Sequence, residues 1–275
     1  MNDNVHIGVI IDNTTLRTDF ITEHGLSLWI EYRDRKILFD TGQSNAVISN
    51  AKKLGINLKS ADAIVLSHGH YDHTGGLADV LNIATKAKVY LHPSAMEPKF
   101  GKKASDVKNV GMTDSAKKAI ENQPVVFTKK PENLFPGVVV TGQIPRINDF
   151  EDVGGAFFLH EQCQKPDSLL DDQALFVNSS KGIVVVLGCA HSGVVNILDY
   201  VSELANCKKI HALIGGMHLL NADQKRIEHT LETFRKYDIQ KVIPLHCTGE
   251  KVMKVLKNIL GDRCLLLGAG EKIIF

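Results

Sequence analysis

The ten residues Ser67-His68-Gly69-His70-Tyr71-Asp72-His73-Thr74-Gly75-Gly76 constrain the fold of this chain more than any other feature. They set three imidazoles and one carboxylate within six residues, directly after the apolar run Ala61 to Leu66, which reads as a buried strand, and before a short helix at Leu77 to Ile83. Alternate residues leaving a strand point the same way, so His68 and His70 face one point while Asp72 and His73 turn with the loop toward a second. Imidazole nitrogens and a carboxylate oxygen converging in this way are ligands for divalent metal, and Gly69 and the Gly75-Gly76 pair let the backbone turn tightly around such ions. The competing reading is a surface loop that is merely rich in histidine. With only 12 histidines in 275 residues, chance rarely produces this spacing behind a strand.

The rest of the chain supports a single domain over residues 1–275. At 44% hydrophobic and 23% charged it has the balance of a globular α/β protein with a sizeable core. Lys+Arg 32 against Asp+Glu 31 leaves a formal charge of +1, which argues against nucleic acid or an anionic membrane as partner, so recognition of an anion must be local. Met1-Asn2-Asp3-Asn4 lacks the basic and apolar stretches of a signal peptide, and no apolar run spans a bilayer; the expected location is cytoplasmic. Five scattered cysteines, an odd number, read as reduced thiols rather than a disulfide framework.

Strand signals open the chain at Val5 to Ile11, Leu26 to Tyr32 and Lys36 to Phe39, and a helical spacing follows at Ser44 to Leu54. After a strand at Lys88 to Leu91, the lysine-rich stretch at about 93–123 has weak periodicity and reads as a helical insertion, a candidate lid or dimer contact. Strands return between Val125 and Leu187. The last third alternates helices (Val194 to Leu204, Asp223 to Tyr237, Glu250 to Leu260) with strands at His211 to Ile214, Lys241 to Pro244 and Lys272 to Ile274. Meander halves with interleaved helices fit two sheets packed face to face with helices outside, a four-layer αββα sandwich.

The H-x-H-x-D-H pattern at His68 to His73 resembles the signature of the metallo-β-lactamase superfamily. The resemblance extends to Asp40-Thr41-Gly42, Gly188-Cys189-Ala190-His191 and His246. It implies the αββα fold and one or two divalent ions, usually zinc, with manganese or iron as alternatives, at one edge of the sheets. His246 then corresponds to the family's final histidine, a ligand of the second metal, and His191 supplies the remaining ligand of the first. Where the family usually has Gly-Asp, with the Asp bridging both ions, this chain has Gly188-Cys189. Either Cys189 bridges as a thiolate or His191 takes over the coordination. The family's third-motif histidine is absent near Thr141-Gly142-Gln143. Gly188 to Gly193, Gly215 to Leu219 and His246 to Gly249 further resemble a subgroup that includes an archaeal dihydropterin–ribofuranosylaminobenzene 5′-phosphate synthase.

Asp40 reads as a group that orients a ligating histidine. His218 is a candidate ligand or substrate contact, with a helix-capping role as the alternative, and Arg146 a candidate anion contact, with a solvated loop charge as the alternative. Lys99, Lys102 and Lys103 are candidates to cover an anionic substrate, or simply a solvated face. His6, His24, His92, His160, His211 and His229 have no sequence partners and read as ordinary polar groups. Without a Gly-x-Ser-x-Gly elbow, serine hydrolysis has no support. The expected activity is hydrolysis of a small anionic ester or phosphoester by metal-bound hydroxide, with Asp72 as a ligand that also orients the hydroxide. Transfer chemistry of the pterin synthase type, a di-iron redox site and a nonenzymatic metal sensor are the alternatives. Oligomeric state is left open.

Overall fold

A computed structural model describes residues 3–275; Met1 and Asn2, where the reading of the N-terminus began, lie outside the described residues. Seven strands form the first sheet, in the order Lys272–Ile274, Val5–Ile11, Ser27–Tyr32, Arg35–Phe39, Ala63–Val65, Lys88–Leu91 and Val125–Phe127. Six form the second, in the order Lys241–Leu245, Ile210–Gly216, Gly182–Leu187, Leu175–Ser179, Val138–Val140 and Glu132–Phe135. Each sheet is antiparallel on one side and parallel on the other. The parallel pairings run from Arg35–Phe39 to Val125–Phe127 in the first and from Gly182–Leu187 to Lys241–Leu245 in the second.

Period-two alternation explains how these strands make layers. In Gly182–Leu187, Val184 and Val186 face the first sheet, whereas Ile183, Val185 and Leu187 face the outer helices. In Val5–Ile11, Val5, Ile7 and Val9 point between the sheets, and a bulge between Val9 and Ile11 sends both Ile10 and Ile11 outward. One apolar cluster therefore fills the space between the sheets, and two more seal the helices against their outer faces. Ala46–Lys53, Leu77–Leu81 and Asp114–Ile120 cover the first sheet; Val194–Leu204, Gln224–Lys236 and Glu250–Leu260 cover the second. Fully buried side chains such as Ile30 and Val186 each contribute about 1.5–3 kcal/mol of transfer free energy. The result is the expected αββα sandwich. No helix among the described residues is long and apolar enough to cross a membrane.

The stretch at 93–123 differs from its sequence reading. Only Asp114–Ile120 is α-helical; Pro93–Met96 is a single 3-10 turn, and Phe100–Lys103 and Asp106–Asn109 form a hairpin that pairs with Ala156–Phe158 in a third, three-stranded sheet. These strands are exposed or half-buried, so they carry no apolar alternation to betray them. Lys99, expected at a surface, is wholly buried between Asp167 and Asp171, at 2.9 and 2.8 Å. The small sheet is tied to the histidine-rich loop: Tyr71 N donates to Val110 O at 3.0 Å, and His70 bridges to Gly111.

Candidate metal centre

Strand ends from both sheets meet at one edge of the sandwich. Asp12 and Asn13 follow Val5–Ile11, Asp40 follows Arg35–Phe39, and the 67–76 loop follows Ala63–Val65. From the second sheet, Cys189 and His191 follow Gly182–Leu187, His218 follows Ile210–Gly216, and His246 follows Lys241–Leu245. Tight exits from these strands demand unusual backbone: Asp40, Ala190, His218 and His246 have φ of 58, 58, 47 and 47°. Left-handed conformations at non-glycine residues cost on the order of 1–3 kcal/mol each and persist where surrounding structure holds them, typically at functional sites.

Two sets of donor atoms result. His68, His70 and His191 form the first, all buried, with His68 Nε2 3.0 Å from His70 Nδ1. Asp72, His73, His246 and Cys189 form the second. There His73 Nε2 lies 3.2 Å from Cys189 Sγ, 3.3 Å from His246 Nε2 and 3.7 Å from Asp72 Oδ2, and His246 Nε2 is 3.3 Å from Asp72 Oδ2. Four ligands around a tetrahedral zinc at its usual bond lengths of about 2.0–2.3 Å lie roughly 3.3–3.7 Å from one another. The four separations above lie at or near that range, while Cys189 also lies within 4.8 Å of a His68 nitrogen, so it stands between the two sets.

Proton positions make the same point. His73 Nδ1 donates to Asp40 Oδ2 at 2.7 Å, His246 Nδ1 to Asn13 Oδ1 at 2.8 Å and His191 Nδ1 to Val153 O at 2.8 Å. A neutral imidazole whose Nδ1 carries the proton has a bare lone pair at Nε2. Burial works against a proton on His73, but Asp40 and Asp72 outweigh it and raise its pKa; the proton that His73 Nε2 or His246 Nε2 directs into the 3.3 Å gap between them and toward Asp72 in metal-free protein is the one that a cation there displaces. The buried Nε2 atoms of His191 and His70 have no hydrogen-bond partner. The residues fit a divalent metal in each set.

Asp40 organises both. Its Oδ1 accepts from Ser67 N, and its Oδ2 accepts from Ser67 Oγ as well as His73 Nδ1, each at 2.7 Å. Because the Ser67 hydroxyl proton is committed to Asp40, Ser67 Oγ accepts from His68 Nδ1 at 2.9 Å. One carboxylate therefore fixes a ligand in each set, directly in one case and through a hydroxyl in the other.

Burial pushes the imidazoles of His68 and His191 well below their ordinary pKa, with neighbouring histidines adding to the effect, and pushes His70 down to about 4. Burial also opposes the charge on Asp72, but His73, His24 and His246 outweigh it and hold that carboxyl well below the usual range. In metal-free protein this gives a pH signature. An unfolded chain protonates His70 near 6.5 and the folded protein only near 4, so acid favours the unfolded state and stability falls as pH drops through that window. Wild type is expected to lose about 1.4 kcal/mol more per pH unit between 6 and 4.5 than His70→Asn does. Urea unfolding of chelator-treated protein at several pH values checks this; parallel curves would refute it.

Four groups enter the site without a sequence signal. His24 Nε2 approaches Asp72 Oδ2 at 3.2 Å, while its Nδ1 faces Asn13 Nδ2 at 3.4 Å, so His24 donates to the Asp72 carboxylate. Asp12 Oδ1 accepts from His246 N at 2.7 Å, Asn13 holds the His246 ring, and Cys247 lies beside Cys189. His218 lines the site and donates from Nε2 to Gly154 O at 3.2 Å. Arg146 does not line it: its guanidinium donates to the carbonyls of His191 and Ser168 at 2.8 and 2.7 Å, which fixes the His191 loop and corrects the substrate-contact reading. Lys99 is corrected in the same way, its charge neutralised by two buried aspartates. Lys102 and Lys103 border a separate surface depression.

Above the donor sets lies a cavity of about 490 Å³. His70, Asp72, His191 and His246 form part of its floor, Val110 and Phe157 enter from the small sheet, and Leu220 and Met253 complete an apolar wall.

Residues 22–201 match the metallo-beta-lactamase superfamily. The chain is 31% identical, over 99% of its own length and 97% of the relative's, to the 7,8-dihydropterin-6-methyl-4-(beta-D-ribofuranosyl)-aminobenzene-5'-phosphate synthase of Methanocaldococcus jannaschii. A crystal structure of a metal-dependent hydrolase of the beta-lactamase superfamily superposes with a TM-score of 0.85 at 28% identity, covering 98% of each chain. An isothiocyanate hydrolase from Delia radicum gut bacteria shares the fold, with a TM-score of 0.58 at 14% identity over 98% of each chain. With the sandwich, the loop at its edge and these likenesses together, the chain belongs to the metallo-β-lactamase superfamily.

Proposed function

We propose that this protein is a metal-dependent hydrolase of a small, anionic ester or phosphoester. The observation that carries the reading is that both donor sets open onto one cavity: a molecule entering it meets His70, Asp72, His191 and His246 together. Its volume of about 490 Å³ is that of a small-molecule site. His68, His70 and His191 would hold one ion and Asp72, His73, His246 and Cys189 a second, most simply zinc given the imidazole, carboxylate and thiolate donors. Such ions supply Lewis acidity and lower the pKa of water to about 7.

The protein's own contribution is placement. Asp72 stays ionised through His73, His24 and His246, so it is available as an acceptor that orients the attacking water. Among the described residues no lysine or arginine lines the cavity, so affinity for an anion would come from the cations that the donor sets would hold, and the apolar wall of Val110, Phe157, Leu220 and Met253 would select the remainder of the molecule.

A second reading, condensation of an activated dihydropterin with an arylamine ribofuranosyl phosphate, rests on the near full-length similarity to the archaeal synthase. The test is a panel of phosphodiester, phosphomonoester and lactone substrates beside the pterin condensation. Metal-dependent turnover of an ester, absent after chelation, is the expected result. Condensation without ester hydrolysis would replace the first reading with the second.

A further inference from the structure

Three adjacent parallel strands of the second sheet each place a sulfur or imidazole two residues past their last residue. Gly182–Leu187 leads to Cys189, Ile210–Gly216 to His218, and Lys241–Leu245 to Cys247. Gly216 stands opposite Leu245, which puts His218 and Cys247 level, and Leu187 stands opposite Gly215, which puts Cys189 within one residue of that level. Their donor atoms lie within 4.8 Å of one another.

The surrounding backbone is pared away to let them meet. A Cβ on Gly216 would stand 2.7 Å from Cys247 Sγ, and one on Gly154 would stand 1.9 Å from His218 Cδ2. His218 also holds a left-handed φ of 47°. Its Nε2 donates to Gly154 O, which leaves the lone pair on Nδ1, and that buried atom has no hydrogen-bond partner. An unsatisfied buried acceptor costs on the order of 1–3 kcal/mol, so its retention beside two sulfurs calls for a ligand. Cys247 Sγ lies 3.5 Å from Cys189 O, and its thiol also interacts with the side chains of Cys189 and His218, the two groups with which it would share an ion.

We propose that Cys189, His218 and Cys247 form a sulfur-rich cation site of their own, for a thiophilic divalent ion, joined to the histidine sets through the shared sulfur of Cys189. Two thiolates and one imidazole suit zinc, cobalt(II) or cadmium, and do not suit magnesium or calcium. Binding replaces the thiol protons of Cys189 and Cys247 with bonds to the ion and releases those protons to solvent. The site does not depend on the hydrolytic reading, because it is defined by binding and not by turnover.

Cobalt(II) titration of reduced, metal-stripped protein tests it. Sulfur-to-cobalt charge-transfer absorption reports Co–S bonds alone. Cys247→Ser is expected to lose one equivalent of bound cobalt and to keep about a third of that absorption, one Co–S bond of three. His218→Gln is expected to lose the same equivalent, whereas His70→Ala loses a different one and leaves the sulfur band unchanged. In wild type, cobalt should also protect Cys247 from alkylation, a readout that needs no variant. Unchanged stoichiometry and absorption in Cys247→Ser and His218→Gln, or alkylation of Cys247 at the wild-type apo rate with cobalt bound, would overturn the proposal.

Discussion

Asp40→Asn is expected to weaken divalent metal binding by a hundredfold or more and to lower hydrolysis in proportion, although Asp40 belongs to neither donor set and acts through His73 and Ser67. The substitution changes one atom from acceptor to donor. If the amide oxygen keeps the Ser67 N–H, its nitrogen falls where Oδ2 accepts from His73 Nδ1 and Ser67 Oγ. His73 Nδ1 must then give up its proton, which moves to the Nε2 atom that faces Cys189 and His246. Ser67 Oγ, now accepting from the amide, turns its own proton toward His68 Nδ1 and drives the same tautomer change in the other set. Losing one such orienting partner typically costs 10–100-fold in affinity, and here two ligands are affected at once. Competition titration against a chromophoric chelator measures the effect. An affinity within threefold of wild type would show that Asp40 does not set these tautomers, and Asp40→Glu separates loss of charge from loss of position.

How far the sequence discloses this arrangement depends on whether a residue's role is local. His68, His70, Asp72 and His73 sit within one loop after one strand, so their convergence is a matter of spacing, and His191 and His246 stand at the ends of apolar runs that announce themselves as strands. Both resembled family positions come to the same edge. In the sequence Cys189 and His191 are alternatives for one role, whereas the structure places His191 beside His68 and His70 and Cys189 beside His68 and His73. His24, by contrast, reaches Asp72 across 48 positions of chain, and Asn13 reaches His246 across 233. Nothing near either residue in sequence marks the contact. Charge was the most misleading signal: Arg146 reads as an anion contact or a solvated loop charge and Lys99 as a cover for an anionic substrate or a solvated face, and each is instead held inward by oxygens from distant segments. The hairpin at Phe100–Asn109 escaped for a different reason. Its strands are solvated, and periodicity reports burial, not strand geometry.

Lys99→Met is expected to destabilise the fold by about 3–5 kcal/mol, more than any surface charge removal. Methionine nearly preserves the volume, so the loss is electrostatic. Asp171 lies within the interior and Asp167 is nearly so, and the Lys99 ammonium is the cation between them. Burial works against its charge, but the two carboxylates outweigh it and raise the lysine pKa. Removing the ammonium leaves two buried like charges facing each other, and the protein must protonate one or open to water. The consequence extends to the metal loop, because Asp171 Oδ2 accepts from Gly69 N at 2.7 Å and so anchors the backbone between His68 and His70. A Cβ on Gly69 would fall 2.1 Å from Ala95 O, so this segment has no room to shift if that anchor slackens. Denaturant unfolding of the variant should therefore show the stability loss together with weaker metal retention. Adding Asp167→Asn to Lys99→Met should recover part of both by removing one of the opposed charges, whereas Asp171→Asn should recover stability less well because it weakens the Gly69 anchor. A loss below 1 kcal/mol in the single variant, or no recovery in the Asp167 double variant, would mean that the buried triad is not what holds this part of the fold.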